Sequence, residues 1–329
     1  MLGLEIFKRY DPIIRGYVID KTIKTNANKV ASYSLDVNTL ILNLINNSEE
    51  NKIPRQTIYR WIKEWKLNKP KYDTIEVPNR KLFVMGDEKW IHEQIHEEQT
   101  EEEKQKHHFI ISKCFVVFTG IEQKGKRKKL TGKHVFITSS NTPWVEFINQ
   151  ISEIYDYEQI DEINFLSDFG NWLLAGTSEL KLFHNNVVIV NTCEFHVKQK
   201  INRSTTDKNL RIKLCNLVYE DNKKDFIIEM DKLLEGKSDK RIETINQYKN
   251  YMTKHWKSIL NMKNCECKSS MESHISHCVA EQFGSRPKGY SRENISKYLK
   301  LHKYFLNSIN IYDLYLKTYN NEDYVYNEK

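Results

Sequence analysis

Three carboxylates stand where they could share divalent metal. Asp87 ends the apolar run Lys81-Leu-Phe-Val-Met-Gly-Asp87, and Asp168 ends Ile163-Asn-Phe-Leu-Ser-Asp168. The third, Glu272, lies in the stretch from Cys265 to Tyr290. Wound as a helix at about 100° per residue, Ser270 to Phe283 puts Ile275, Val279, Ala280 and Phe283 on one face, with Glu272 pointing the same way. A carboxylate centred on an apolar stripe is costly unless a base or a metal ion balances its charge. The plainer readings are a helix-start carboxylate favoured by the dipole for Glu272 and strand-end turn residues for each Asp. Together, Asp87, Asp168 and Glu272 could hold two Mg²⁺ (or Mn²⁺) ions about 3.5–4 Å apart. Such a pair activates an attacking oxygen and stabilises a leaving oxygen during in-line displacement at phosphorus.

The same stretch carries a rival metal set. Cys265, Cys267, His274, His277 and Cys278 offer thiolate and imidazole ligands at spacing suited to a structural Zn²⁺. On the helical count, His274, His277 and Cys278 fall opposite Glu272, so one ion cannot serve both faces. The alternative is ordinary buried Cys and solvent-facing His.

The elements that must position these residues are legible from the patterning. Lys81–Asp87, 109–118, 133–138, 163–168 and 187–190 are rich in β-branched and aromatic residues and predict strands. Thr142 to Tyr155 carries Val145, Ile148, Ile151 and Ile154 at helical spacing, with Pro143 at its start. Cys193-Glu-Phe-His-Val197 opens another helix. The basic run Gln123-Lys-Gly-Lys-Arg-Lys-Lys129 predicts a hairpin tip, with Lys124, Lys126, Arg127 and Lys128 as DNA-binding candidates. The acidic run after Asp87, from Glu97 to Glu103, reads as a solvated loop. The resulting order, strand, hairpin, helix, strand, helix, strand, helix, is that of a ribonuclease H-like mixed five-stranded sheet. Asp87 and Asp168 are then expected at the ends of neighbouring parallel strands.

Residues 1–70 predict a helical region, with a helix-turn-helix over about 34–66. Ile58, Trp61, Ile62 and Trp65 form the inner stripe of its second helix. Its outer face carries Arg55, Gln56, Tyr59, Arg60 and Lys63, donors able to reach base edges in a DNA major groove. A plain helical hairpin with a solvated face fits equally well. The core is expected over 80–204, a helical insertion over 205–262, and completing helices over 263–329. Lys198, Lys200, Arg203, Lys208, Arg211 and Lys213, beside or within the insertion, read either as solvated charge or as a grip on DNA phosphates.

Composition bounds these readings. The chain has 329 residues and a net charge of +7, an excess that suits a polyanionic partner. No stretch approaches the roughly 18 apolar residues of a membrane span, so no membrane partner is expected. Six scattered cysteines fit a reduced, cytoplasmic setting rather than a disulfide framework.

Several motifs carry a family resemblance: Gly86-Asp-Glu-Lys-Trp90, Ser167-Asp-Phe-Gly-Asn-Trp172, Glu194-Phe-His196, Glu272-Ser-His-Ile-Ser-His277 and Ser285-Arg-Pro-Lys-Gly-Tyr290. Over about residues 53–298 the chain resembles the ISLre-type insertion-sequence transposases and related transposase-like proteins of integrative elements. The resemblance implies a DDE transposase with Asp87, Asp168 and Glu272 as its triad, acting on double-stranded DNA as a homo-oligomer. Arg286 in the last motif is a further DNA-binding candidate. Cys193 stands where the resemblance leads one to expect Asp. A non-catalytic DNA-binding regulator and a ribonuclease H-like nuclease remain the alternatives.

Overall fold

The computed structural model describes residues 10–11, 16–17, 60, 64, 67–93, 109–125, 127–182, 186–267, 278–279, 291–311, 313–314 and 317. Its centre is built from β1 (Lys81–His92), which pairs antiparallel with β2 (Phe109–Phe118). A separate two-stranded ribbon follows, β3 (Gly120–Lys124) and β4 (Arg127–Thr131), in which Lys124 pairs with Arg127. Gly125 turns it with φ of +63°, a conformation that glycine adopts without strain. β5 (His134–Thr138) then returns antiparallel to β2. Helix α1 (Pro143–Ile154) crosses to β6 (Glu162–Ser167), and the short helices α2 (Asn171–Ala175) and α3 (Thr177–Leu182) cross to β7 (Val187–Thr192). β6 is parallel to both β1 and β7. The sheet order is β5-β2-β1-β6-β7, a mixed five-stranded sheet with flanking helices that is compatible with a ribonuclease H-like fold.

Alternation along the strands divides the core into two layers. Leu82, Val84, Phe115, Val117, Phe136, Ile163 and Phe165 face α1, α2 and α3. There Phe115 stacks on Phe147, with ring centroids 4.0 Å apart. Phe83, Met85, Cys114, Val116, Val135, Ile137 and Leu166 face the other way. They pack with Cys278, Val279 and the inner face of α9 (Arg292–Leu306; Ile295, Leu299, Leu301 and Tyr304). β1 is buried on both faces from Leu82 to Gly86, as befits a central strand.

Between β7 and Cys265 the chain forms α4 (Glu194–Ser204), α5 (Lys208–Tyr219), α6 (Lys223–Lys232), α7 (Asp239–Lys254) and α8 (Trp256–Asn264). They share a third apolar cluster centred on Leu214, Phe226, Met230, Ile245 and Ile259. Asp207 caps α5 by accepting from Asn209 N and Leu210 N, and Arg241 closes α4 by donating to the carbonyls of Arg203 and Ser204 at 2.7 Å. α8 lies along the sheet edge, where Asn261 Nδ2 donates to Val190 O at 3.1 Å.

Two expectations are corrected. β1 does not end at Asp87 but continues to His92, because β2 supplies antiparallel partners as far as Phe109. The first seventy residues are not helical throughout, since Tyr10–Asp11 pairs antiparallel with Gly16–Tyr17. The helix-turn-helix region lies almost wholly outside the described residues. Of it, Arg60 and Glu64 are described, both helical and exposed.

Candidate carboxylate site

The parallel register between β1 and β6 runs from Lys81 opposite Glu162 to Met85 opposite Leu166. Two residues further along each chain stand Asp87, within β1, and Asp168, one residue past the end of β6, so the register leads both acids towards the same end of the parallel pair. Strand alternation gives both the parity of Met85 and Leu166, the layer that also holds Cys278 and Val279. Cys193, one residue beyond the Ser167–Thr192 pair, follows the end of β7 and is the N-cap of the next helix. The acids thus lie at the carboxyl-terminal side of the parallel strands, the edge where open α/β sheets bind ligands.

Local sequence shapes each acid's setting. Gly86 precedes Asp87 and faces the opposite layer, where a Cβ would lie 2.7 Å from Leu173 Cδ2 and 3.4 Å from the Phe115 ring. The absent side chain lets α2 sit directly on β1. Asp87 Oδ1 accepts from Glu88 N at 2.8 Å, and both acids are half-buried. After β6 the chain turns sharply: Asp168 Oδ1 accepts from Gly170 N at 3.1 Å, and Phe169 adopts φ of +66°. A left-handed phenylalanine is strained and persists only when its surroundings hold it. Here the buried Phe169 ring stacks on His255, with centroids 4.0 Å apart and planes 6° from parallel.

Helices α4 and α7 complete this corner. Tyr251 Oη donates to the Asp168 carbonyl oxygen at 3.1 Å, and Lys200 Nζ sits 3.9 Å from the Tyr251 ring centroid. Burial, helped by the Asp168 charge, pushes the Tyr251 hydroxyl well up and keeps it a donor. Burial lowers Lys200, while Asp168 opposes that shift. His255 is also lowered, first by burial and then by Lys254 and Lys200. Sequence reading missed Tyr251 and His255, which lie more than eighty residues from Asp168. Their one signal was an i, i+4 aromatic pair at the end of a helix, with His255 as its C-cap.

The third acid, Glu272, lies outside the described residues, as do His274, His277 and Arg286. Its neighbourhood is nonetheless tied to the site. Cys114, the cross-strand partner of Asp87, is hydrogen-bonded to the Cys278 thiol, and burial pushes the Cys114 thiol well up. His302 Nε2 donates to Cys278 O at 2.6 Å from α9. Cys278 therefore faces the sheet, which corrects the helical count that turned it away. Val279 beside it is fully buried as well, and the two lie in a π-helical turn. A π-turn advances the chain by a smaller angle per residue than an α-helix, so a uniform 100° step misassigns the face.

Cys265, Cys267 and Cys278 all belong to the apolar layer under the sheet. Among the described residues, no group of three or more His, Cys, Asp or Glu could hold a metal ion. Asp87 in β1 and Asp168 in the turn after β6 are half-buried carboxylates, hard oxygen donors of the kind that suit Mg²⁺ or Mn²⁺.

The predicted phosphate-gripping cations separate into groups. Lys198 pairs with Glu194 at 2.5 Å, Lys213 with Glu229 at 3.1 Å, and Arg211 Nε donates to Thr205 O at 2.7 Å. Arg203 and Lys208 are exposed. In the ribbon, Lys124 ends β3, while Arg127 and Lys128 open β4. Lys126 lies outside the described residues. Among the described residues, no helix is long and apolar enough to cross a membrane.

Known proteins extend the picture. One UPF0236 protein of Caldanaerobacter subterraneus subsp. tengcongensis is 24% identical over 192 residues, covering 56% of this chain and 40% of that protein. Another from the same organism is 23% identical over 305 residues, covering 87% of this chain and 61% of its own length. The chain thus spans about two fifths to three fifths of these relatives. Among solved structures, the Drosophila P element transposase strand transfer complex is similar over 98% of this chain and 88% of that one. Its TM-score of 0.26 and 11% identity are too low to argue a shared fold. The match to the family model is extensive, running over residues 12–314, and by it the chain belongs to the uncharacterised protein family UPF0236.

Proposed function

We propose that this chain is a DDE-type transposase of the ISLre kind, cutting DNA and joining the freed 3′ ends of a mobile element to a target. The observation that supports this best is the parallel register of β1 and β6, which ends at Met85 opposite Leu166, two residues before Asp87 and Asp168 on their respective chains. The layer they face is the one on which the Cys278 segment, six residues after Glu272, is packed. Asp87, Asp168 and Glu272 would hold Mg²⁺ or Mn²⁺, which when bound would polarise the phosphate and favour deprotonation of the attacking oxygen. The protein's share is positional. β1 and β6 fix the two acids on rigid backbone, and the Phe169 turn presents Asp168 at the strand end. Helix α4 opens beside them, with its amino-terminal dipole favourable to a phosphate. Hydrolysis and strand transfer need the same arrangement, because only the nucleophile changes from water to a 3′-hydroxyl.

The test uses duplex DNA bearing the sequences that flank the reading frame, incubated with the protein and Mg²⁺ or Mn²⁺. Strand cleavage and joining are expected, and Asp87→Asn, Asp168→Asn and Glu272→Gln should each abolish both while DNA binding persists. Cleavage without joining would favour a nuclease. Binding with no cleavage in any condition would favour a DNA-binding regulator. Cleavage retained in all three variants would remove the site assignment.

A further inference from the structure

The corner around Asp168 holds more than a carboxylate needs for its own folding. A cation, a phenol and a strained turn converge there from three separate elements: Lys200 on α4, Tyr251 on α7, and Phe169 after β6. Tyr251 touches two of them at once. Its hydroxyl donates to the Asp168 backbone oxygen, and its ring carries the Lys200 ammonium on its face. Among the described residues Lys200 has no ion-pair partner, unlike Lys198 and Lys213 on the same helical unit. A half-buried ammonium with an aromatic seat, within the field of the Asp168 carboxylate and without a direct ion pair, is suited to meet an anion that arrives from outside.

We propose that Tyr251 is a positioning residue of the carboxylate site. In this arrangement its hydroxyl fixes the backbone at Asp168, and its ring aims Lys200 at a phosphate of the bound DNA. The inference rests on the carboxylate-site reading and adds to it how the helical unit takes part. Without the phenol hydroxyl, the Asp168 carbonyl loses its cross-element hydrogen bond, and the left-handed turn keeps the Phe169–His255 stack and its local bonds from Gly170 N to Asp168 Oδ1 and from Phe169 N to Ser167 Oγ. Without Lys200, the phosphate nearest Asp168 loses a fixed cation.

Two variants separate the parts. Tyr251→Phe keeps the ring under Lys200 and removes only the donor; Lys200→Met keeps the stem and removes only the charge. Mn²⁺ binding to the DNA-free protein, followed by electron paramagnetic resonance, reads the first. Outer-shell partners of ligands are worth about 10–100-fold in metal affinity, so Tyr251→Phe should weaken Mn²⁺ by that order with its urea midpoint near wild type. DNA binding without metal, measured across a salt series, reads the second. Lys200→Met should lower the slope of log affinity against log salt by about 1, and Tyr251→Phe should leave that slope unchanged. Wild-type Mn²⁺ affinity in Tyr251→Phe, or an unchanged slope in Lys200→Met, overturns the proposal. Asp87→Asn and Asp168→Asn serve as controls in the same Mn²⁺ titration. If they abolish binding and Tyr251→Phe does not, only the role of Tyr251 fails. If they leave binding intact, the carboxylate reading fails and takes this inference with it.

Discussion

Single buried residues leave a pH signature on this molecule. His302 and His134 are both enclosed, and burial holds them at about 4 and about 3, against an ordinary value of 6.5. His134 is lowered further by Lys303, whose own ammonium burial brings down to about 8. His134 Nε2 meets the amide nitrogens of Gln150 and Asn307 at 2.8 and 3.3 Å. Lys303 donates to Gln150 Oε1, and Asn307 is held at both ends by Val135. Those bonds orient both amides as donors, so Nε2 accepts and the ring is neutral. The unfolded chain protonates each His near pH 6.5, whereas the folded chain waits until about 4 or 3. Stability is therefore full above pH 6.5 and falls as the pH drops towards 4. At 1.36 kcal/mol per unit, His302 alone accounts for about 3 kcal/mol of that loss. Urea unfolding at pH 7 and pH 4.5 should show the decline, and His302→Gln should make it shallower, leaving the part due to His134. An unchanged pH slope in that variant would assign the titration elsewhere.

Among the elements, the contact between α2 and β1 governs how well the two acids are matched. Gly86→Ala would push a methyl against the buried Leu173 and Phe115. Overpacking of this kind costs about 1–3 kcal/mol, and here it displaces the helix that follows the Asp168 turn. The expected result is a lower unfolding midpoint, partly restored by the double variant Gly86→Ala/Leu173→Ala; no restoration would place the strain elsewhere. This contact was invisible in the sequence, although the elements making it were not. All five strands of the sheet and α1 were readable, because period-2 and period-3.6 patterns record local burial. The order of those elements also led to the sheet's topology. The far end of β1 was unreadable, because Glu88, Lys89 and Trp90 are not fully buried and their pairing comes from a partner strand, not from patterning. The facing of Cys278 was misread because a π-turn leaves no periodic trace. Tyr251 escaped notice for a third reason, that a hydrogen bond across 83 residues depends on how helices pack and not on spacing.

For the whole molecule, the proposed activity requires surfaces that meet DNA. A net charge of +7 favours a polyanion, yet part of the basic surface is already spoken for by Glu194, Glu229 and the Thr205 carbonyl. General attraction and sequence reading should therefore come from different places. Arg203, Lys208 and the β3–β4 ribbon are proposed to supply the first, and Arg55, Gln56, Tyr59, Arg60 and Lys63 the second. Arg60 is exposed on a helical backbone, as a base-reading residue must be. A cation that meets phosphate strengthens binding to all sequences alike and contributes about one unit of salt slope, whereas an arginine on a base edge carries about 1–3 kcal/mol of discrimination. Arg55→Ala/Arg60→Ala should then lower affinity for the element's ends by tenfold or more and leave affinity for random duplex nearly unchanged. Arg203→Ala/Lys208→Ala should weaken both duplexes together and flatten the salt dependence. Fluorescence anisotropy with the two duplexes across 50–300 mM salt distinguishes these outcomes, the range being chosen at about the span over which phosphate contacts dominate affinity. Equal loss on both duplexes for the Arg55/Arg60 pair would reduce that helix to a non-specific anchor. Sequence selection would then have to come from another part of the protein.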